Sequence, residues 1–253
     1  MERRRLISGL IILMCLALHV ALVVSVATQS RPVIWPLHND TIHREGPAAD
    51  FFSIYHASVN LSEGRSPYGF EEDGRTPYFF PYRYMPVVAQ AGRLMLGLSP
   101  FAAYRAWILL LEALLAVLIF LVWRRATGWL RTLSVCLLLL NSPYLLELYM
   151  GQFTFAATAL LAMSLLTSAC VFFILAVLLK MYPLAAGVAL VRAGRWRCVA
   201  LALVVLAVLT VPYFAANLDD LRAFRALNVG VPPGVAGGLH SGNYGLAYLL
   251  YLL

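Results

Sequence analysis

Asp50 and Lys180 are the residues of this 253-residue chain whose chemistry stands out most from their surroundings. Asp50 opens the longest polar passage of a very apolar sequence. That passage, Asp50 to Pro86, holds five of the twelve carboxylates, a dense run of aromatics and four prolines. A carboxylate can take a proton from a hydroxyl within hydrogen-bond reach. The same residue type also caps helix N-termini, and the residue alone leaves both readings open. Lys180 is the only lysine and lies in an apolar region. An ionisable group at membrane depth is a functional candidate, and snorkelling to the interface beside Tyr182 is the competing reading.

Other polar side chains join them with weaker signals. Arg83, between Tyr82 and Tyr84, is either an anion contact or an anchor in an interfacial aromatic belt. Gln152, after Gly151, lines a cavity or caps a turn. His240, beside Ser241 and Asn243, is an anion contact or a solvated loop residue. Glu112 is costly at depth and must face the bundle interior or water, while Glu147 is expected at the interface. The run Glu71, Glu72 and Asp73 before Gly74 reads as a solvated turn, not a metal site, and Asp40 sits in a turn that requires no chemistry. Asn39 and Asn60 each begin a glycosylation pattern, a match that often arises by chance.

The elements that must position these groups follow from composition. Hydrophobic residues make up 62% of the chain and charged ones 12%, with a mean hydropathy of +0.80. Soluble domains carry about 25% charged residues, so recurrent apolar runs with short polar breaks indicate an all-α, polytopic transmembrane helix bundle. The formal charge of +7 comes from arginines that form no binding stripe, which argues against a nucleic-acid surface. Cys15, Cys136, Cys170 and Cys198 fall in apolar runs without metal-ligand spacing and read as small buried residues, not a disulfide frame.

In order, Leu6 to Ala27 is a retained first span after a basic start, and residues 29–85 form a large first extracytoplasmic loop. Pro86 to Leu98 is too short to cross, and Tyr104 to Trp123 is a full span. Leu133 to Leu146 leads back and is broken at Asn141, Ser142 and Pro143. Phe153 to Leu166 returns inward and Ser168 to Leu179 goes outward, although several middle spans are shorter than the about 17–25 residues a crossing helix needs, which leaves room for a re-entrant pair. Leu184 to Val191 is a brief segment, Val199 to Phe214 spans again, and residues 215–243 form a second extracytoplasmic loop. Arginines gather at positions 3–5, at Arg124, Arg125 and Arg131, and at Arg192, Arg195 and Arg197. Those are the three expected inner positions, which places the N-terminus in the cytoplasm and the Asp50 loop outside a cell membrane.

Along this frame the sequence resembles the GT-C superfamily of membrane glycosyltransferases, and within it glycosyltransferase family 87. The matching pieces run in order. Asp50, Tyr55 and Ala57 come first, then Gly64, Pro67 and Tyr68, then Tyr84 with Pro86. Pro143 follows, with Gly151 and Gln152. Lys180, Tyr182 and Pro183 are next, with Arg195, Trp196 and Arg197 behind them, and last Gly242 and Asn243. Met85 stands where the family more often has a small residue or proline, and Tyr244 and Gly245 replace Gln-Ser. Members of the family run longer, so the chain resembles a C-terminally shortened copy.

The resemblance implies inverting transfer of a sugar, mannose first, from a polyprenyl-phosphate donor to a hydroxyl of a glycan or glycolipid acceptor at the outer membrane face. Asp50 would be the base. Lys180, His240, Arg83, Tyr84, Gln152 and Asn243 would bind substrate, with no metal and no cofactor. A transporter, a lipid-flipping component or an inactive fragment is the alternative. A transporter would need polar residues lining a path through the midplane, whereas here they gather on one side.

Overall fold

The computed structural model describes residues 2–28, 47–69, 74–77 and 80–229. Among the described residues the regular structure is all helical, with no strand. The helices are α1 (Glu2–Ala27), α2 (Ala49–Ser62), α3 (Pro86–Gly92), α4 (Pro100–Arg125), α5 (Gly128–Leu139), α6 (Ser142–Met150), α7 (Thr154–Thr167), α8 (Cys170–Leu179), α9 (Gly187–Arg192), α10 (Trp196–Ala216) and α11 (Leu218–Val229). Four stretches are long and apolar enough to cross a membrane: Leu6–Ala27, Pro100–Arg125, Gly128–Met150 and Trp196–Ala216.

Local chemistry explains most boundaries. Ser99 caps α4, its Oγ accepting from the Ala102 N–H, and Pro100 takes the first helical position, where a missing N–H costs nothing. The break at Asn141 to Pro143 is real, but α5 and α6 together make one 23-residue crossing. That supplies the length which neither helix, of 12 and 9 residues, has alone. Helices α7 and α8, of 14 and 10 residues, are each too short for a hydrocarbon core of about 30 Å. They pack on one another as a helical hairpin through Ser168, whose φ is +64°.

Two expectations change. Cys170 and Cys198 are joined as a disulfide between α8 and α10, with Cα atoms 5.0 Å apart. The sequence could not show that their helices are neighbours. The stretch from residue 215 onward also contains a helix, α11, where composition suggests only a polar loop. It docks through Asp220, which accepts from Ser66 Oγ at 2.5 Å and from the Tyr213 hydroxyl. Phe224 packs on Tyr68 and Phe214 beside it.

The two ends of α7 differ. At its C-terminal end Arg125 Nη2 donates to the Leu166 carbonyl at 2.7 Å, and the Arg195 guanidinium donates to the Ser164 carbonyl at 3.2 Å. Two of the basic groups read from the sequence therefore meet at one end of the bundle. The N-terminal end of α7 faces the cavity described below.

Glu112 faces the bundle interior, as its position requires. His19 Nε2 lies 2.9 Å from Glu112 Oε2, and the Tyr144 hydroxyl donates to Oε1 at 2.5 Å. His19 Nδ1 is 2.7 Å from the Leu139 carbonyl. A carbonyl only accepts, so Nδ1 carries a proton. One further proton is then shared between Nε2 and the carboxyl. This network pins α1 and α4 to the α5–α6 break, so that Glu112→Ala strands both partners. The substitution is expected to cost about 1–3 kcal/mol, between the values for interhelical membrane hydrogen bonds and for a broken buried pair. Glu112→Gln should cost less, because it keeps the bond to Tyr144. The unfolding midpoint in detergent checks both.

Candidate active site

Helix α2 carries Asp50 into the bundle. Ten of its fourteen residues are buried, with Phe51, Phe52 and Ile54 almost fully enclosed and Leu61 only partly so. Asp50 is not the N-cap. That position belongs to Ala48, at φ +63° and without a side-chain cap, and Asp50 is the second residue of the helix. The Ala48 N–H donates to the Tyr149 carbonyl at 2.7 Å, which ties the start of α2 to the end of α6. Asp50 thus lies in the first turn of a helix, where the unpaired N–H groups and macrodipole favour an anion.

The approach of α2 to α6 depends on Gly151. It ends α6 at φ +69°, and a Cβ built there would lie 2.5 Å from Phe51 Cβ. Gly151→Ala combines left-handed strain of about 1–2 kcal/mol with an overpacking penalty of about 1–3 kcal/mol. We expect a total loss of about 2–5 kcal/mol, seen as a lower unfolding midpoint. A midpoint equal to that of the parent protein would refute the close contact.

Asp50 lines a cavity of about 720 Å³ together with Arg83, Tyr84, Gln152 and Lys180. Five of the seven residues singled out from the sequence therefore share one space, although they come from four separate parts of the chain. The other two, His240 and Asn243, lie outside the described residues, as do Asp40 and the run Glu71 to Asp73. The remaining walls are mostly apolar, from Met150, Leu178, Leu179 and Met181, while Phe224 and Asn228 of α11 close one side.

Lys180 follows the last residue of α8 in extended backbone. Its Nζ donates to Thr154 Oγ1 at 2.6 Å and stands 5.6 Å from the centre of the Tyr84 ring. Burial pulls its ammonium below the ordinary lysine value of 10.5, and the Asp50 and Glu147 carboxylates act in the opposite direction. Tyr182 does not merely anchor the interface. Its hydroxyl donates to the Thr154 carbonyl at 2.9 Å.

Tyr84 is partly buried, and its ring is 5.7 Å from that of Phe153. Burial, with the Asp50 and Glu147 charges after it, raises its phenol well above the ordinary range, so it stays protonated. Arg83 is exposed, with its guanidinium 5.7 Å from the Phe80 ring centre. Gln152 is fixed through its backbone, its N–H donating to the Glu147 carbonyl at 2.9 Å.

Glu147 is what the sequence reading missed. Its carboxylate accepts from the backbone N–H of Phe155 in the first turn of α7, and it interacts electrostatically with both Lys180 and Asp50. The available signal was its place one helical turn before Gly151 and Gln152. Asn60 is buried on α2, with Nδ2 3.4 Å from His56 Nδ1, so its glycosylation pattern is inaccessible. Among the described residues no three His, Cys, Asp or Glu side chains gather to hold a metal ion.

A bundle of membrane-crossing helices around a largely apolar cavity with a few charged and polar groups defines a polytopic protein embedded in the membrane. The chain belongs to glycosyltransferase family 87, whose model matches residues 82–235, and is accordingly a membrane glycosyltransferase. No curated protein and no solved structure matches it. The matched span contains Arg83, Tyr84, Gln152, Thr154 and Lys180; Asp50 precedes it.

Proposed function

We propose that this protein transfers a sugar, mannose first among candidates, from a polyprenyl-phosphate donor to a hydroxyl of a glycan or glycolipid acceptor, with inversion. The observation that carries this reading is one cavity holding a carboxylate, an ammonium and a long apolar wall. The apolar side suits an isoprenoid chain and the polar side suits the phosphate and sugar.

In the reaction the acceptor oxygen attacks the anomeric carbon, a new C–O bond forms, and the bond to the phosphate oxygen breaks. The acceptor's proton passes to the Asp50 carboxylate, which acts as general base. The polyprenyl phosphate leaves with the electron pair, and Lys180 stabilises the charge that grows on it. Phosphate is a good leaving group, so no second carboxylic acid is required, unlike the carboxylate pair of glycoside hydrolases. Arg83, Tyr84 and Gln152 contribute donors to the sugar or phosphate, and His240 and Asn243 belong to the same proposed set.

The cavity lies on the extracytoplasmic side of a multi-pass cell-membrane protein, with the N-terminus in the cytoplasm. Support comes from α7, whose ends separate the Arg125 and Arg195 cluster from Thr154 and Lys180. Positive residues favour the cytoplasmic side.

The test uses the full chain in membranes, supplied with radiolabelled polyprenyl-phosphate mannose or with a nucleotide-linked mannose. Transfer from the lipid-linked donor alone, with the opposite anomeric configuration in the product, is expected. Transfer from the nucleotide sugar alone, or retention of configuration, would overturn the proposal.

A further inference from the structure

A lysine side chain is a flexible stem carrying a compact charge, and it does not hold its own position. For Lys180 to meet a phosphate in the same place on every turnover, something must fix its ammonium. The structure supplies a clamp at the first turn of α7. Thr154 is the first residue of that helix, and its Oγ1 accepts from Lys180 Nζ at 2.6 Å. The carbonyl of the same residue accepts from the Tyr182 hydroxyl at 2.9 Å, so both side chains of the segment after α8 fasten to one residue. From the other side, the Glu147 carboxylate accepts from the N–H of the next residue, Phe155.

The hydroxyl is not spent on starting the helix. The N-cap of α7 is Phe153, which caps nothing with its side chain. Threonine's strong helix-starting preference belongs to the N-cap, one position earlier. The hydroxyl of Thr154 is directed instead to the only lysine in the chain. An ammonium has three donors. One is used on Thr154, and among the described residues no other hydrogen bond of the ammonium is formed, so its remaining donors can serve a ligand on the cavity side. The Tyr84 ring at 5.6 Å adds a cation–π contact that restricts the stem further.

We propose that Thr154 is a positioning residue for the transfer reaction: its hydroxyl fixes the Lys180 ammonium at the cavity wall so that the donor's phosphate meets an already oriented cation, while Glu147 holds the helix turn that carries Thr154. This rests on the reading of the cavity as a phosphate-linked sugar site. Preorganising a charge in this way strengthens binding, because the ligand does not have to order the side chain itself.

The test compares Thr154→Val, which keeps shape and removes the acceptor, with Thr154→Ser, which keeps the hydroxyl. Two measurements are made on the full chain. The first is steady-state transfer from polyprenyl-phosphate mannose. Thr154→Val should raise the donor KM about tenfold with a smaller change in kcat, the ratio expected for one charge-assisted hydrogen bond. Thr154→Ser should stay within about twofold of the parent protein.

The second measurement needs no turnover. Lys180 is the sole lysine, so a hydrophilic amine-acylating reagent followed by peptide mass spectrometry reads its side chain alone. Acylation at fixed pH should be about tenfold faster in Thr154→Val and unchanged in Thr154→Ser. Parent-like KM and parent-like acylation in Thr154→Val would overturn the inference and leave sugar transfer standing. Equal losses in the Ser and Val variants would also overturn it, because packing and not the hydroxyl would then be what matters. Absence of transfer in the unaltered protein would remove the reading on which the positioning role depends.

Discussion

Asp50→Asn is expected to lower sugar transfer by about 100- to 10,000-fold, the range that a positioned general base contributes. The substitution is nearly isosteric, and the charge it removes from the first turn of the helix is worth about 0.3–1 kcal/mol there. Asp50 is the second residue of α2, not its N-cap, and asparagine keeps a side-chain oxygen that can still accept a hydrogen bond. Stability should therefore change little while kcat collapses. The donor KM should move only a few-fold, because Lys180 and the apolar wall remain. Transfer reduced by less than about tenfold in a well-inserted Asp50→Asn protein would remove Asp50 from the catalytic role. Asp50→Glu should recover part of the rate, since the base is present but displaced.

Lys180→Met carries the second largest effect. Methionine preserves the apolar stem and removes the charge, so the donor KM should rise about 10- to 100-fold, the equivalent of a hydrogen bond to a charged group. The parent protein should show a related pH dependence. Lys180 is charged below its pKa, and burial draws that pKa below 10.5. Donor binding should hold at neutral pH and weaken as pH rises, starting earlier than for a solvated lysine. In Lys180→Met this alkaline weakening should vanish. A donor KM that is insensitive to both the substitution and alkaline pH would exclude the ammonium as the phosphate partner.

Much of the site could be read in the sequence because its residues stand out locally. Asp50, Arg83 and Tyr84 belong to one polar, aromatic passage, and Lys180 is a lone ammonium in apolar surroundings. Gln152 follows a glycine that ends a helix in left-handed backbone. Glu147 escaped because a carboxylate near a helix end looks interfacial. Its meaning depends on α7 starting beside it and on Lys180 arriving from α8. Glu112 was read as facing the bundle interior or water, but the His19 it meets lies 93 residues away on another helix. Phe224 and Asn228 could not be foreseen as cavity walls, because α11 is held in place by contacts of Asp220 with Ser66 and Tyr213.

Sequence alone was enough for the membrane character, the four long crossings and the break before Pro143, but it also took the α7 and α8 stretches for two further crossings. Hydropathy, turn residues and caps act over a few residues, so the chain carries them wherever it folds. Tertiary structure alone decided which helices are neighbours and how each is rotated about its axis. That choice joined Cys170 to Cys198, set Glu112 against His19, and brought Glu147 and Thr154 to Lys180. Apolar faces on a helix in lipid are satisfied by many partners, so periodicity cannot specify one of them. The selection comes from the few polar groups and close glycine contacts that tolerate a single arrangement.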